Sequence, residues 1–177
     1  VQYAQGCQQR CSGNTDGTTA DVHTRDALYN PDLCNPADLA GIDGAVALAM
    51  KADVVVLALG FDTAIAGEGN DRLDMSLPGA QERLALAVLT AVAARKRSLA
   101  LAGLHATAPK VVLAVLAGAS VSMDALLGGG LDAGHDGPDV ILMGHQPGAV
   151  GGVAIAESIF GGHNDFGKLS YTIYPHV

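Results

Sequence analysis

Three apolar stretches, each stopped by a glycine, constrain this chain more than any other feature. Ala52-Asp53-Val54-Val55-Val56-Leu57-Ala58-Leu59 is closed by Gly60, Lys110-Val111-Val112-Leu113-Ala114-Val115-Leu116 ends before Gly118, and Asp139-Val140-Ile141-Leu142-Met143 is closed by Gly144. Runs this continuous lack the in-out alternation of a half-solvated strand, and read as strands of a parallel sheet covered on both faces. Between the first two, Pro78 sits where a helix accepts proline, in its first turn. Leu84, Val88 and Val92 then repeat as an apolar stripe, and Arg95, Lys96 and Arg97 complement the carboxyl end of the helix dipole. The stretch Ser98 to Ala108 either extends this helix or forms an inserted turn. Asp38 is placed to cap an earlier helix running through Ala49, Gly148 to Phe160 reads as a later one, and Lys168 to Tyr174 alternates like an edge strand. Alternating strands and helices predict a three-layer α/β sandwich: a mostly parallel sheet, helices on both faces, right-handed crossovers.

At 177 residues the chain suits one domain spanning residues 1–177, with residues 1–37 as an irregular opening segment. That segment is polar and turn-rich from Gly13 to Pro36, punctuated by Asn30-Pro31 and Asn35-Pro36. Apolar residues make up 49% of the chain and charged ones 16%, which points to a packed core rather than disorder. A formal charge of -8 argues against nucleic acid and anionic membrane surfaces, which need clustered Lys and Arg. No apolar run approaches the roughly 18 to 20 residues that span a bilayer. The chain opens at Val1 without an initiator Met or signal peptide, as expected of a mature fragment or a partial chain. Cys7 and Cys11 lie close together in a loop compatible with an oxidising compartment. Their spacing permits a disulfide without requiring one, and leaves Cys34 free or paired elsewhere. Metal binding is the weaker reading, since His23 is the only nearby imidazole and no fourth ligand has zinc-like spacing.

Ligands of such sheets bind beyond the carboxyl ends of the strands, which singles out the loops Gly60 to Leu77, Gly118 to Asp124 and Gly144 to Gly152. The first is the best equipped, with Asp62, Glu68, Asp71, Arg72 and Asp74 among glycines. Asp62 follows a buried strand, in position to bond turn amides or a substrate hydroxyl. Asp71 and Arg72 read first as an internal ion pair that anchors a long loop. The remaining histidines, His105, His135, His163 and His176, show no ligand spacing and are expected in solvated loops. There is no Walker loop, no Gly-x-Gly-x-x-Gly turn joining strand to helix, and no nucleophile-elbow context around Ser120 or Ser122.

Several stretches in order carry a specific resemblance: Tyr3-Ala4-Gln5-Gly6-Cys7; Ala52-Asp53-Val54-Val55-Val56 through Gly60-Phe61-Asp62; Ile65-Ala66-Gly67-Glu68-Gly69-Asn70-Asp71-Arg72; and Leu77-Pro78-Gly79-Ala80-Gln81. Gly144-His145-Gln146-Pro147-Gly148 with Gly151-Gly152 follows, then Phe160-Gly161, Asn164, Gly167-Lys168-Leu169 and Thr172-Ile173-Tyr174-Pro175. Together they resemble the carboxyl-side sandwich domain of glycoside hydrolase family 3, nearest its β-xylosidase and arabinofuranosidase-like branch, with β-glucosidases next. The resemblance runs from about Val1 to Pro175, with gaps at Gly13 to Pro36 and Ser98 to Ala108.

That resemblance implies a secreted exo-glycosidase that removes terminal β-linked sugars with retention, using no metal or organic cofactor. Retention needs two carboxyl groups roughly 5 Å apart. In the family a preceding (β/α)8 barrel, expected elsewhere than in this chain, carries the nucleophilic aspartate, and the sandwich lends a glutamate as acid/base. Xylosidase-like relatives carry an Ile-Glu-x-Glu-Gly arrangement whose first glutamate falls on Ala66. If the proton donor maps there, this chain has lost it; if it maps to the Gly-Glu-Gly pattern, Glu68 keeps it. The second reading is favoured because Glu68 is the loop's only carboxylate flanked by glycines. His145 falls where relatives often hold an aromatic residue beside the cleft, and its imidazole can bond a sugar hydroxyl. The chain has no Trp, a departure for a carbohydrate site. The rival reading is a non-catalytic structural or carbohydrate-interaction module that keeps the sandwich fold.

Overall fold

The structure, a computed structural model, describes residues 2–7, 39–63, 65–69, 71–72, 74–104, 108–128 and 134–174. Expectations for Asp38, Cys11, Cys34, His23, His105 and His176 fall outside them, as does most of the polar opening segment. The described elements run α1 (Ile42–Ala49), β1 (Val54–Phe61), α2 (Gln81–Leu101), β2 (Lys110–Ala117), α3 (Asp124–Leu127), β3 (Val140–Met143) and α4 (Gly151–Phe160). Both strand pairs are parallel in the order β1-β2-β3, with Val54 opposite Lys110 and Val112 opposite Val140. Each parallel step is bridged by a helix, and the architecture is the expected α/β sandwich.

The central strand behaves as its composition requires. From Val111 to Val115 every residue of β2 is buried, so both its faces are covered. At the sheet's edge the result differs. Leu57, Leu59 and Phe61 of β1 face the core, while Val54 and Val56 on the opposite face are 48% and 42% exposed. An unbroken apolar run thus marked a strand correctly but overstated the cover on one face of β1.

Helix α2 supplies the main wall of the core. Leu84, Val88 and Val92, joined by Ala85 and Leu89, pack with Leu57, Leu59 and Phe61 of β1 and with Ile42 and Ala49 of α1. The helix extends to Leu101, so Arg95 to Arg97 lie more than a turn from its carboxyl end, where the dipole fades. They serve tertiary contacts instead. Arg95 donates to the carbonyl of Ala52, and Lys96 pairs with Asp139 at 2.7 Å. Asp139 also accepts from Lys110 and from the backbone N–H of Val111, pinning the start of β3 to the start of β2.

Two further expectations need correction. Lys168 to Tyr174 joins no ladder with β1, β2 or β3. Burial alternates only over its last four residues, where Tyr171 and Ile173 turn inward while Thr172 and Tyr174 face solvent, and such alternation does not supply a strand to pair with. His135 is not solvated: it is 5% exposed, and its Nδ1 accepts the backbone N–H of Gly137 at 3.0 Å. His163 is exposed beside Glu157 at 3.2 Å.

Candidate functional site

The first loop leaves β1 at a residue that only glycine can occupy. Gly60 has φ +148°, and a Cβ there would come within 1.8 Å of the Leu116 carbonyl oxygen on β2. The side-chain amide of Gln81, at the start of α2 and 4% exposed, meets Gly60 from the other side. Its Oε1 accepts the Gly60 N–H at 2.7 Å and its Nε2 donates to the Gly60 carbonyl at 2.8 Å.

Beyond Gly60 the chain folds into a short turn, in which the Asp62 carbonyl accepts the N–H groups of Ile65 and Ala66. Ile65 plugs into the core at 3% exposure and Ala66 packs against it. Gly67 follows with no room for a side chain, since a Cβ would sit 2.5 Å from the Thr63 carbonyl oxygen. The chain therefore turns Glu68 outward, and both Glu68 and Asp62 have exposed side chains.

Arg72 closes the loop. Its guanidinium lies 4.3 Å over the ring of Phe61, the residue at which the loop began, a cation–π contact. One terminal nitrogen donates to the Ser120 carbonyl at 2.7 Å and the other to the Ser76 carbonyl at 2.5 Å. A second tie runs back from the Ser122 N–H to the Met75 carbonyl at 2.7 Å. Two hydrogen bonds, Arg72 to Ser120 and Ser122 to Met75, thereby join the loops after β1 and β2. Asp71 stands exposed, and among the described residues it makes no ion pair.

The third loop leans on the second. Gln146 lies against Gly118, where a Cβ would approach its Nε2 to 2.5 Å. His145 adopts a left-handed backbone with φ 51°, uncommon for a residue with a side chain, and its ring meets Tyr171 edge-on at 5.7 Å. Glu68 and His145 thus occupy loops at the same end of the sheet, on either side of the loop after β2, and among the described residues no hydrogen bond joins them. A groove of about 600 Å³ runs along the open edge of β1 beside α1 and residues Gln2–Cys7, and its lining includes Gly60, Phe61, Asp62 and Gln81 but not Glu68. Cys7 at its rim has a free thiol, and burial pushes its pKa up to about 11.

Phe61, Gln81, Ser120 and Tyr171 all help build this end of the sheet, and none was singled out for that from sequence. Gln81 had a signal, its place in the Leu77-Pro78-Gly79-Ala80-Gln81 motif; the carbonyl of Ser120 had none, because backbone acceptors are invisible to composition.

The arrangement is an exposed carboxylate on a pinned loop, beyond the carboxyl ends of parallel strands. All of residues 1–177 match the family model described as the glycosyl hydrolase family 3 C-terminal domain. The chain belongs to this family. Among relatives, a probable beta-D-xylosidase 7 of Arabidopsis thaliana is 39% identical over 86% of the chain and 17% of its own length. A beta-xylosidase/alpha-L-arabinofuranosidase 2 of Medicago sativa subsp. varia is 33% identical over 97% of the chain and 19% of its own length. The family 3 domain described here thus spans less than a fifth of either relative, and those proteins contain much besides it. Among solved structures, the beta-glucosidase of Kluyveromyces marxianus in complex with glucose matches with a TM-score of 0.51 and 26% identity, over 71% of the chain and 12% of its own. A beta-glucosidase involved in saponin metabolism from intestinal bacteria shares the fold with a TM-score of 0.61 at 24% identity, over 91% of the chain and 20% of its own. No described helix is long and apolar enough to cross a membrane.

Proposed function

We propose that this domain serves a secreted exo-glycosidase that removes terminal β-linked sugars with retention, and that Glu68 is its general acid/base. A (β/α)8 barrel in the same polypeptide or assembly supplies the nucleophilic carboxylate. The observation that carries the reading is the outward-facing Glu68 on a loop whose two legs are held together by Phe61 and Arg72. A proton donor must reach the glycosidic oxygen from a fixed place, and a loop pinned at its base while its tip stays exposed can present a carboxyl group to a facing domain. Arg72 anchors that loop, Asp71 remains at its solvent edge, and Asp62 and His145 are the polar groups offered to sugar hydroxyls. The relatives' names favour a β-xyloside over a β-glucoside.

In the first step the barrel carboxylate attacks the anomeric carbon while Glu68 gives its proton to the departing oxygen. In the second, Glu68 as carboxylate takes a proton from water as that water's oxygen bonds the anomeric carbon, breaking the sugar–carboxylate bond and freeing the nucleophile. The test compares the full polypeptide with its Glu68→Gln variant on aryl β-xyloside and β-glucoside. The variant should lose roughly 10²- to 10⁴-fold in rate. An inactive parent overturns the enzyme reading in favour of a non-catalytic module, a reading to which Ala66 packed on the core lends support. A fully active variant removes Glu68 from the role.

A further inference from the structure

We infer that Gln81 is a positioning residue for Glu68, acting through Gly60. Gly60 lies on the outer edge of β1, which has no strand beyond it among the described residues, so its N–H and carbonyl there have no ladder partner. The Gln81 amide takes the place of the missing strand, accepting from one group and donating to the other at 2.7 and 2.8 Å. A bond to each of the two peptide units that flank Gly60 fixes how one is turned relative to the other, which a single bond cannot do. The residue held is the last before Phe61, and it is locked from behind by the Leu116 carbonyl. The direction in which the chain leaves the sheet is therefore set at Gly60. Phe61 then carries it into the contact with Arg72, and the turn after Asp62 delivers Glu68.

Gln81 is 4% exposed, in the first turn of α2. The helix is bound into the core through Leu84, Val88 and Val92, so the amide is carried by a rigid support rather than by another loop. Gln81 touches no candidate sugar-binding group and acts only through backbone. Its loss should thus impair the step that depends on where the Glu68 proton sits, and leave binding of the sugar ring largely intact.

This inference rests on the reading of Glu68 as proton donor, and one experiment separates the two. The full polypeptide is assayed with two substrates sharing a sugar: a phenyl glycoside, whose leaving group needs a proton, and a 2,4-dinitrophenyl glycoside, whose leaving group does not. Gln81→Met removes both hydrogen bonds at similar length; Gln81→Glu keeps the acceptor for the Gly60 N–H and loses the donor. Gln81→Met should lower kcat/KM on the phenyl glycoside, which reports the first step alone, by about 10- to 100-fold, the scale expected of a displacement near 1 Å. It should lower kcat/KM on the dinitrophenyl glycoside less than about 3-fold, while kcat there falls further because the second step still needs Glu68 as base. Gln81→Glu should show the same leaving-group pattern with a smaller loss. Equal loss of kcat/KM on both substrates, or none on either, overturns the inference while Glu68→Gln still shows the selective loss of kcat/KM. If Glu68→Gln itself shows no selectivity, the acid/base reading falls first. Where Gln81→Met does not fold, Gln81→Glu decides alone by the same comparison.

Discussion

Asp139 offers the cleanest measurement of what holds the strands in register. It accepts the Val111 N–H at 2.9 Å, Lys96 at 2.7 Å and Lys110 at 3.1 Å, while its own N–H donates to the Val111 carbonyl. The side chains of Asp139 and Lys96 are 22% and 21% exposed, but Lys110 is 64% exposed and adds little. Asp139→Ala removes a charge-assisted bond to backbone together with the Lys96 pair, and should cost about 2 to 3 kcal/mol. Asp139→Asn keeps an oxygen for the Val111 N–H and should cost about 1 kcal/mol. Partial burial alone would raise the Asp139 pKa; the bonds from Lys96, the Val111 N–H and Lys110 outweigh it and bring the pKa below its ordinary value. A carboxyl group whose pKa falls on folding stabilises the fold above its unfolded pKa and ceases to do so as pH drops through the folded value. The gap between parent and Asp139→Asn should therefore be full near pH 7 and close below about pH 4. Urea denaturation of the 177-residue chain at both ends of that window measures it. Equal stability of parent and Asn variant near neutrality, or a gap that persists in acid, would refute the assignment of this cluster as an ionic clamp.

Gly60→Ala should destabilise the chain by on the order of 3 kcal/mol or more, because the new methyl meets the Leu116 carbonyl at a backbone angle that side chains avoid; a thermal melt within error of the parent would contradict that geometry. Cys7, with its thiol pushed up to about 11 from the ordinary 9.0, should alkylate roughly 100-fold more slowly in the folded chain than in the denatured one under reducing conditions near pH 8; peptide mapping that finds equal rates would show the thiol to be exposed.

The parts of the fold legible in the sequence are those where one physical signal acts alone. Burial of β2 on both faces demands an apolar run and nothing else, so Lys110 to Leu116 was readable to within a residue. The end of α2 was harder, because Arg95 to Arg97 satisfy a helix-terminus rule locally and a tertiary role globally, and only the position of Asp139 decides between them. The anchors of the candidate site were the least legible. Arg72 and Asp71 are adjacent in sequence and opposite in charge, so proximity suggested a pair; the guanidinium instead found two carbonyls and an aromatic face, one of those carbonyls on another loop. Phe61 reads as one more core residue until Arg72 is seen above it.

Polar side chains tie the strands at both ends of the sheet, but they do different things there. At the amino ends, Asp139 bonds a neighbouring strand through an ionic cluster at the surface, and every group it touches belongs to a regular element or its first residue. At the carboxyl ends, Gln81 bonds the open side of β1 at Gly60, and Arg72 bonds the backbone of loops beyond the ladder, so they add ties where secondary structure gives out. Losing the first kind of tie lowers the stability of a sheet whose shape the hydrophobic core still dictates. Losing the second kind leaves the core intact and frees the loop that carries Glu68. That contrast is the physical reason to look for function at the carboxyl end: there the chain commits buried or stacked polar side chains to hold in place a stretch of backbone that packing alone does not fix.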